Sequence, residues 1–261
     1  MEQSTPVLIL CGGMGTRLRE ETEYRPKPMV EIGGRPILWH IMRIYASHGY
    51  RRFVLLAGYR ANQIKEYFLN YEALRRDFTI TLGRHQQIAF HDKHGDEDWE
   101  ITIADTGVAT MTGGRIKKAE RYIDADRFML TYGDGVADIN ITALMAAHRA
   151  GNRIGTVTGV RPPSRYGELD VTGDRVTSFA EKPQLHDGLI NGGFFVFERS
   201  FLDYLPDDPA CVLEQKPLEA LTATGQLGVF RHPGFWQCMD TYRDSQLLNQ
   251  LWDEGRAPWK A

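Results

Sequence analysis

Glycines and two cationic residues lie close together near the start of the chain, in a pattern suited to binding phosphate. The segment contains Gly12, Gly13, Gly15 and Arg17, and Lys27 follows between two prolines. Glycine lets phosphate oxygens approach backbone N–H groups closely, and a guanidinium group offers a planar fork of donors. The prolines restrict the backbone that carries the lysine ammonium. The pattern predicts a site for a nucleoside triphosphate; the alternative is a glycine-rich surface turn beside a solvated lysine.

The spacing of these glycines differs from that of two widespread phosphate-binding loops. The segment lacks the G-x-x-x-x-G-K-[ST] pattern of a P-loop. Glycines at positions 12, 13 and 15 also do not make the G-x-G-x-x-G pattern of dinucleotide-binding folds. The sequence therefore predicts a different kind of nucleotide loop.

Two aspartates stand at the predicted ends of elements, and Asp134 is a candidate for a metal site. Asp134 lies between two glycines, directly after an apolar run at 128–132 that we predict to be a strand. Doubly wound sheets bind ligands at the carboxyl ends of their strands, and magnesium prefers carboxylate oxygens. A plain turn is the alternative for Asp134. Asp240 stands beside Thr241, and its residue type could equally serve a helix start by countering the helix dipole.

The elements that must position these residues alternate between apolar strands and amphipathic helices. This alternation predicts an α/β fold with a doubly wound, mostly parallel, Rossmann-like sheet. The predicted strands are 7–10, 53–57, 128–132 and 155–160. The predicted helices open at Pro36, Asn62 and Asn140, with a stop for the first at Gly49, and the last helix is capped by Thr241 and Asp244.

The pattern changes after residue 160. Residues 169–171 and 176–179 predict a hairpin, and Asn191 to Phe197 predict a further strand. We expect these antiparallel additions to wall a ligand pocket. The expected organisation is one domain, with a nucleotide-binding half over about 1–160, a second half over about 161–240, and a C-terminal helix and tail over 241–261.

Composition restricts the class of protein. The chain has 261 residues, 42% of them hydrophobic, and a formal net charge of −3. It has no basic tract and no apolar run of the ~20 residues that span a bilayer, so neither nucleic acid nor a membrane is expected as a partner. Its start lacks the apolar core of a signal peptide, and three cysteines without C-x-x-C spacing predict no disulfide framework. A cytoplasmic protein is expected.

The chain resembles the sugar-phosphate nucleotidyltransferases, whose signature is L-x-G-G-x-G-T-R-L followed by P-K-P. Within them it is most similar to the cytidylyltransferases that act on glucose 1-phosphate. The resemblance covers essentially the whole chain, with Cys11 standing where alanine is usual. The further stretches that carry it are 28–34, 37–42, 105–107, 111–115, 131–136, 181–183, 190–196, 234–237 and 257–260.

The resemblance implies transfer of CMP from CTP to glucose 1-phosphate with Mg²⁺, by a homo-oligomer whose product serves deoxysugar and polysaccharide synthesis. The catalytic residues implied are Arg17, Lys27 and Asp134, and the metal ligands are Asp134 and Asp240. The sugar-phosphate site would comprise Tyr166, Gly167, Glu181, Lys182, Asn191 and Gly192. The nucleotide site would comprise Leu10, Cys11, Gly12, Gly13, Met14, Gly15, Thr16, Arg17, Lys27, Thr110, Gly114 and Arg115. Of these, Thr110, Gly114 and Arg115 are the candidates for contacting the base, with an ordinary helix residue as the alternative for Arg115.

Three alternatives remain open from the sequence. The same chemistry could use UTP or dTTP, because backbone carbonyls that recognise cytosine are invisible in a sequence. The chain could also be a non-catalytic regulatory protein that binds nucleotide sugars, or a glycosyltransferase that uses a premade nucleotide sugar. A separate hypothesis concerns Cys11: an electropositive loop would favour its thiolate and make it reactive to alkylating agents.

Overall fold

The apolar runs of the sequence become the strands of a central sheet. The computed structural model describes residues 5–83, 87–91, 97–161, 168–172, 174–180 and 188–260. The strands are β1 (Val7–Cys11), β2 (Glu31–Ile32), β3 (Arg35–Pro36), β4 (Arg52–Ala57), β5 (Phe78–Thr81), β6 (Gln87–Phe90), β7 (Glu100–Asp105), β8 (Arg127–Tyr132), β9 (Gly135–Ala137), β10 (Gly155–Val160), β11 (Glu168–Thr172), β12 (Arg175–Ala180), β13 (Ile190–Asn191), β14 (Phe195–Glu198), β15 (Leu227–His232) and β16 (Trp236–Cys238).

Helices connect these strands and cover the sheet. They are α1 (Arg19–Thr22), α2 (Ile37–Ser47), α3 (Ala61–Leu69), α4 (Thr112–Lys118), α5 (Ile141–Gly151), α6 (Lys216–Ala223) and α7 (Tyr242–Asp253). Short 3₁₀ helices span Lys27–Met29, Glu120–Tyr122 and Arg199–Tyr204. Among the described helices, none is both long enough and apolar enough to cross a bilayer.

The central sheet has the strand order β13-β10-β14-β8-β1-β4-β7, and β15 pairs with β10. Strand β1 is parallel to both of its neighbours, β4 and β8, while β14 runs antiparallel between β8 and β10. The predicted mostly parallel α/β sheet with antiparallel additions is confirmed. The carboxyl ends of β1 and β8 lie side by side, so the glycine loop and Asp134 emerge at the same edge of the sheet.

The sheet is covered on both faces, as a doubly wound fold requires. Alternate residues of β1 enter different clusters: Val7, Ile9 and Cys11 pack with α2, α3, α5 and α7, whereas Leu8 and Leu10 pack with α4 and α6. All five side chains are 9% exposed or less. Because β1 is buried on both faces, it forms a rigid base for the loop that follows it.

Several local predictions are confirmed. The Asn140 side chain accepts from Ala143 N at the start of α5, and Gly49, at φ +87°, follows the end of α2. Thr241 and Asp244 form the predicted capping box of α7. The predicted hairpin is β11 and β12.

Three other predictions differ from the structure. Pro36 precedes α2 as its cap and also pairs in β3, and α3 begins at Ala61 after Arg60 rather than being capped by Asn62. The single strand predicted over 191–197 is two strands, β13 and β14. Gly193 and Phe194 both have positive φ angles, +77° and +44°, which extended backbone does not tolerate.

The C-terminal tail packs on the core beside a buried histidine. Trp259 is 3% exposed, stacks on Phe235 at 5.4 Å, and donates from Nε1 to His40 Nδ1 at 3.4 Å. His40 Nε2 lies 2.9 Å from the carbonyl oxygen of Ile32, which can only accept, so the ring proton is on Nε2. The ring of Trp252, from α7, contacts the His40 ring at 4.7 Å.

This arrangement predicts loss of stability in acid. Burial lowers the pKa of His40 to about 4 from an ordinary 6.5, so the unfolded chain binds the extra proton first. The stabilisation from the neutral ring is complete above pH 6.5 and is lost as pH falls towards 4, a change of about 3 kcal/mol. We expect urea unfolding midpoints to fall across that window, and to fall less in His40→Gln. Equal pH dependence of the two proteins would contradict the prediction.

Candidate active site

A cavity of about 320 Å³ opens where β1 and β8 end. The loop after β1, the 3₁₀ turn at Lys27, the start of α4 and the end of β8 line it. Most residues predicted to bind the nucleotide therefore meet in one place. The lining residues are Leu10, Cys11, Gly12, Gly13, Gly15, Thr16, Arg17, Lys27, Pro28, Thr110, Met111, Thr112, Arg115, Tyr132, Gly133 and Asp134.

The glycines of the loop serve different purposes. Gly15 has a φ of +63°, which favours glycine, and its carbonyl accepts from Thr22 Oγ1 at 3.0 Å. A Cβ on Gly13 would meet nothing within 4 Å, so this position is open to a ligand. A Cβ on Gly12 would overlap with the guanidinium of Arg115. Gly13 thus leaves room for a ligand, whereas Gly12 is needed for packing against Arg115.

A cluster of opposite charges lies at one end of the cavity. Lys27 Nζ is 2.6 Å from Asp134 Oδ2 and 2.6 Å from Asp240 Oδ1. Arg17 Nη1 is 2.8 Å from Asp240 Oδ2, with the Arg17 side chain 71% exposed. The structure thus brings together the predicted residues Arg17, Lys27, Asp134 and Asp240. These carboxylates come from the turn after β8 and from the segment just before α7.

Burial and charge oppose each other in this cluster. Burial alone would lower the pKa of Lys27, but the charge and hydrogen bonds of the two carboxylates outweigh it and raise the pKa above its usual value. Burial alone would raise the pKa of Asp240, but Lys27 and Arg17 hold it below its usual value. Lys27 is therefore a buried ammonium and Asp240 a carboxylate at neutral pH.

The local fold explains why the Asp240 side chain reaches the charged cluster. Thr241 caps α7, and the Asp244 carboxylate accepts from the backbone N–H groups of Asp240 and Thr241 at 3.1 and 2.8 Å. The helix start is satisfied without the Asp240 side chain, which reaches Lys27 instead. The structure thus places the Asp240 side chain in the charged cluster rather than in the cap of α7.

The donor set at this point fits a hard divalent cation. Ligand atoms of Asp134, Asp240 and Cys238 lie within 4.8 Å of one another. Burial, followed by the charge of Asp134, raises the pKa of the Cys238 thiol, which remains neutral and is a poor ligand for a hard ion. The two carboxylates would hold such a cation.

Sequence reasoning missed Cys238 at this cluster. It lies two residues before Asp240, and residues i and i+2 share a face of an extended chain, which is the signal that could have identified it.

Arg115 is buried beneath the glycine loop. Its Nη2 donates to Gly12 O at 2.9 Å, and its Nη1 donates to Thr106 Oγ1 at 2.6 Å and to Gly107 O at 2.8 Å. Further bonds reach the carbonyls of Ala57 and Val108. The guanidinium therefore joins the carboxyl ends of β1, β4 and β7. Arg115 is also among the residues that line the cavity.

The other candidates for the base contact are placed differently. Thr110 lines the cavity, and its hydroxyl donates to Thr106 O at 2.6 Å. Gly114 packs away from the cavity, because a Cβ there would lie 2.8 Å from Asp208 O. Met14 is 54% exposed and is not among the residues that line the cavity.

The hypothesis of a reactive Cys11 thiolate is wrong. Cys11 is fully buried at the end of β1, and burial raises the pKa of its thiol despite the nearby charge of Arg115. A buried neutral thiol is inert towards alkylating agents. The electropositive loop lies above Cys11, but its side chain points into the core.

The predicted sugar-phosphate residues divide into two groups. Tyr166, Gly167, Glu181 and Lys182 lie outside the described residues. Asn191 and Gly192 lie on and after β13: Asn191 Nδ2 donates to Tyr132 OH at 3.0 Å, and Gly192 O accepts from Trp236 Nε1 at 2.8 Å. These two residues stand near the carboxyl end of β8. In the sheet order, β13 lies on one side of β8, and β1, β4 and β7 lie on the other.

The sequence of the chain is similar to those of known nucleotidyl transferases. Residues 6–226 match the family model for nucleotidyl transferases. The glucose-1-phosphate cytidylyltransferase of Salmonella typhimurium is 48% identical over 97% of this chain and 98% of its own length. The probable glucose-1-phosphate cytidylyltransferase of Bacillus subtilis is 45% identical over 97% of this chain and 98% of its own.

Solved structures share the fold. HddC from Yersinia pseudotuberculosis has a TM-score of 0.70 at 24% identity, covering 95% of this chain and 99% of its own. The inositol-1-phosphate CTP transferase from T. maritima has a TM-score of 0.66 at 18% identity, covering 95% of this chain and 96% of its own. At these identities the likeness shows the fold alone.

Proposed function

Because this chain belongs to the nucleotidyl transferase family, we propose that it transfers the CMP group of CTP to glucose 1-phosphate, giving CDP-glucose and pyrophosphate. The observation that carries the proposal is the buried Lys27 ammonium bridging Asp134 and Asp240 beside the glycine loop. The choice of CTP and glucose 1-phosphate is supported by the two relatives of 48% and 45% identity, each matched over nearly its full length.

The reaction joins two phosphates. A phosphate oxygen of glucose 1-phosphate attacks the α-phosphorus of CTP, a P–O bond forms there, and the bond to the β-phosphate oxygen breaks with its electron pair leaving on pyrophosphate. The attacking phosphate is already a nucleophile, so no general base is needed. Catalysis then consists of positioning the two anions and stabilising the charge that develops between them.

Each charged residue of the cluster has a part in this scheme. The N–H groups of the open loop around Gly13 and the exposed Arg17 guanidinium bind the triphosphate and the departing pyrophosphate. Lys27 stabilises charge on the α-phosphoryl group. Asp134 and Asp240 would hold Mg²⁺, which would neutralise phosphate charge when bound. Lys182 would bind the sugar phosphate, as the family resemblance implies.

Pyrophosphate release with Mg²⁺ and glucose 1-phosphate, run in parallel with CTP, UTP, dTTP, ATP and GTP, tests the proposal. We expect release mainly with CTP. Preference for UTP or dTTP would retain the mechanism and overturn the base assignment. Tight nucleotide binding without release from any of the five would favour the regulatory alternative, and release of a free nucleoside diphosphate from a nucleotide sugar would favour the glycosyltransferase.

A further inference from the structure

A carboxylate outside the charged cluster joins two walls of the cavity. Glu214 lies between the 3₁₀ helix at Arg199–Tyr204 and α6. Its Oε1 accepts from Tyr132 OH at 2.6 Å, and its Oε2 accepts from Thr112 Oγ1 at 2.7 Å. Tyr132 ends β8 and Thr112 begins α4, and both line the cavity. Glu214 itself does not line the cavity, and its contacts with the cavity wall are these two hydrogen bonds.

The hydrogen bonds continue from Tyr132 to Asn191, one of the predicted sugar-phosphate residues. A carboxylate can only accept, so the Tyr132 phenol donates its hydrogen to Glu214. The phenol oxygen then accepts from Asn191 Nδ2 at 3.0 Å, and Asn191 Oδ1 accepts from Gly193 N at 2.9 Å. The carboxylate therefore sets the direction of the Tyr132 hydroxyl, so that the phenol oxygen accepts from Asn191, and its charge strengthens the bonds beyond it.

These hydrogen bonds use only one of the two Nδ2 hydrogens of Asn191. Asn191 is exposed, and no acceptor for its second Nδ2 hydrogen occurs among the described residues. The segment that follows Asn191 packs closely against β8, since a Cβ on Gly193 would lie 3.1 Å from the Tyr132 ring and 3.2 Å from Thr131 Oγ1. Asn191 is thus held by both its backbone and its side chain, with one N–H available to a ligand.

We propose that Glu214 is a positioning residue for the hexose. Acting through Tyr132, it orients the Asn191 amide so that the remaining N–H donates to a hydroxyl oxygen of the sugar phosphate. The bond to Thr112 restrains the Glu214 side chain and keeps its other oxygen directed at Tyr132. This inference rests on the proposed function, because it assigns Asn191 to the sugar side of the site.

Steady-state kinetics of Glu214→Ala and Tyr132→Phe test the proposal. Each change removes the link between carboxylate and amide, so we expect the KM for glucose 1-phosphate to rise about tenfold while the KM for CTP stays within about twofold. The double variant should show no further increase, because Glu214 acts through Tyr132. Glu214→Gln keeps an acceptor for the phenol and should restore most of the affinity.

Glu219→Gln is the matched control, because Glu219 is an exposed carboxylate on the neighbouring helix α6. It should leave both KM values unchanged. Equal rises in both KM values for Glu214→Ala, additive effects in the double variant, or an unchanged KM for glucose 1-phosphate would each overturn the proposal. The Tyr132→Phe variant keeps the aromatic ring packed against the core. This variant therefore remains informative if Glu214→Ala folds poorly.

Direct binding separates this proposal from the proposed function. Calorimetric titration of glucose 1-phosphate into the wild type, Tyr132→Phe and Glu219→Gln needs no turnover. Weaker binding in Tyr132→Phe alone would support the positioning role even if the wild type releases no pyrophosphate. Equal binding in all three, or no binding of glucose 1-phosphate by the wild type, would overturn the positioning role even if turnover occurs.

Discussion

Replacing Lys27 with methionine is expected to lower kcat by about a hundredfold or more, with a much smaller change in the KM for CTP. The ammonium is buried, is held between two carboxylates, and has a raised pKa, so it carries full charge at working pH. A charge held in place in this way stabilises the transition state more than the ground state. Methionine keeps most of the length of the side chain and removes the charge together with the N–H donors.

Lys65→Met is the control for this experiment. Lys65 is a partly exposed lysine on α3, 3.7 Å from Asp105, and does not line the cavity. Its replacement should leave kcat and KM unchanged. If Lys27→Met mainly raises the KM for CTP and preserves kcat, Lys27 binds the nucleotide in its ground state and has no special part in the chemical step.

Replacing Asp134 or Asp240 with asparagine is expected to reduce kcat by at least about a hundredfold and to weaken binding of Mg²⁺. Each change removes one of the two carboxylates that surround Lys27 and leaves a neutral amide of almost the same size. A single carboxylate holds a divalent cation much less tightly than two. Asp240→Asn should have an additional effect, since Asp240 also pairs with the exposed Arg17.

Metal binding should be measured directly, by titrating Mg²⁺ or Mn²⁺ into each protein with and without CTP. Asp203→Asn is the control, because Asp203 is exposed on the 3₁₀ helix at Arg199–Tyr204 and lies outside the cavity. Unchanged metal affinity in both cavity variants would exclude these carboxylates as the ligands. Loss of affinity in only one of them would assign the site to that residue.

Local sequence patterns predicted much of the fold. Buried strands such as β1 and β4 appear as short apolar runs, and the caps of α5 and α7 appear as Asn140 and as Thr241 with Asp244. These signals work because the interactions involved join residues a few positions apart. The split between β13 and β14 was missed because the two positive φ angles arise where the chain packs against β8.

The parts of the site that the sequence did not reveal all depend on distant contacts. Arg115 donates to Gly12 across 103 positions, and Glu214 reaches Tyr132 across 82. Cys11 has the sequence context of a reactive thiol, but the pleat of β1 turns it into the core, since alternate residues of a strand face opposite sides.

The sequence by itself determined which groups are present: a glycine loop after a buried strand, a lysine restrained by prolines, and aspartates at the ends of elements. It also predicted the alternation of strands with helices, because hydrophobic periodicity is local. Only the tertiary structure decided that Lys27 meets Asp240 across 213 positions, and that Arg115 lies beneath the loop. Those pairings depend on which strands become neighbours in the sheet, and that choice reflects packing of the whole chain rather than any short segment.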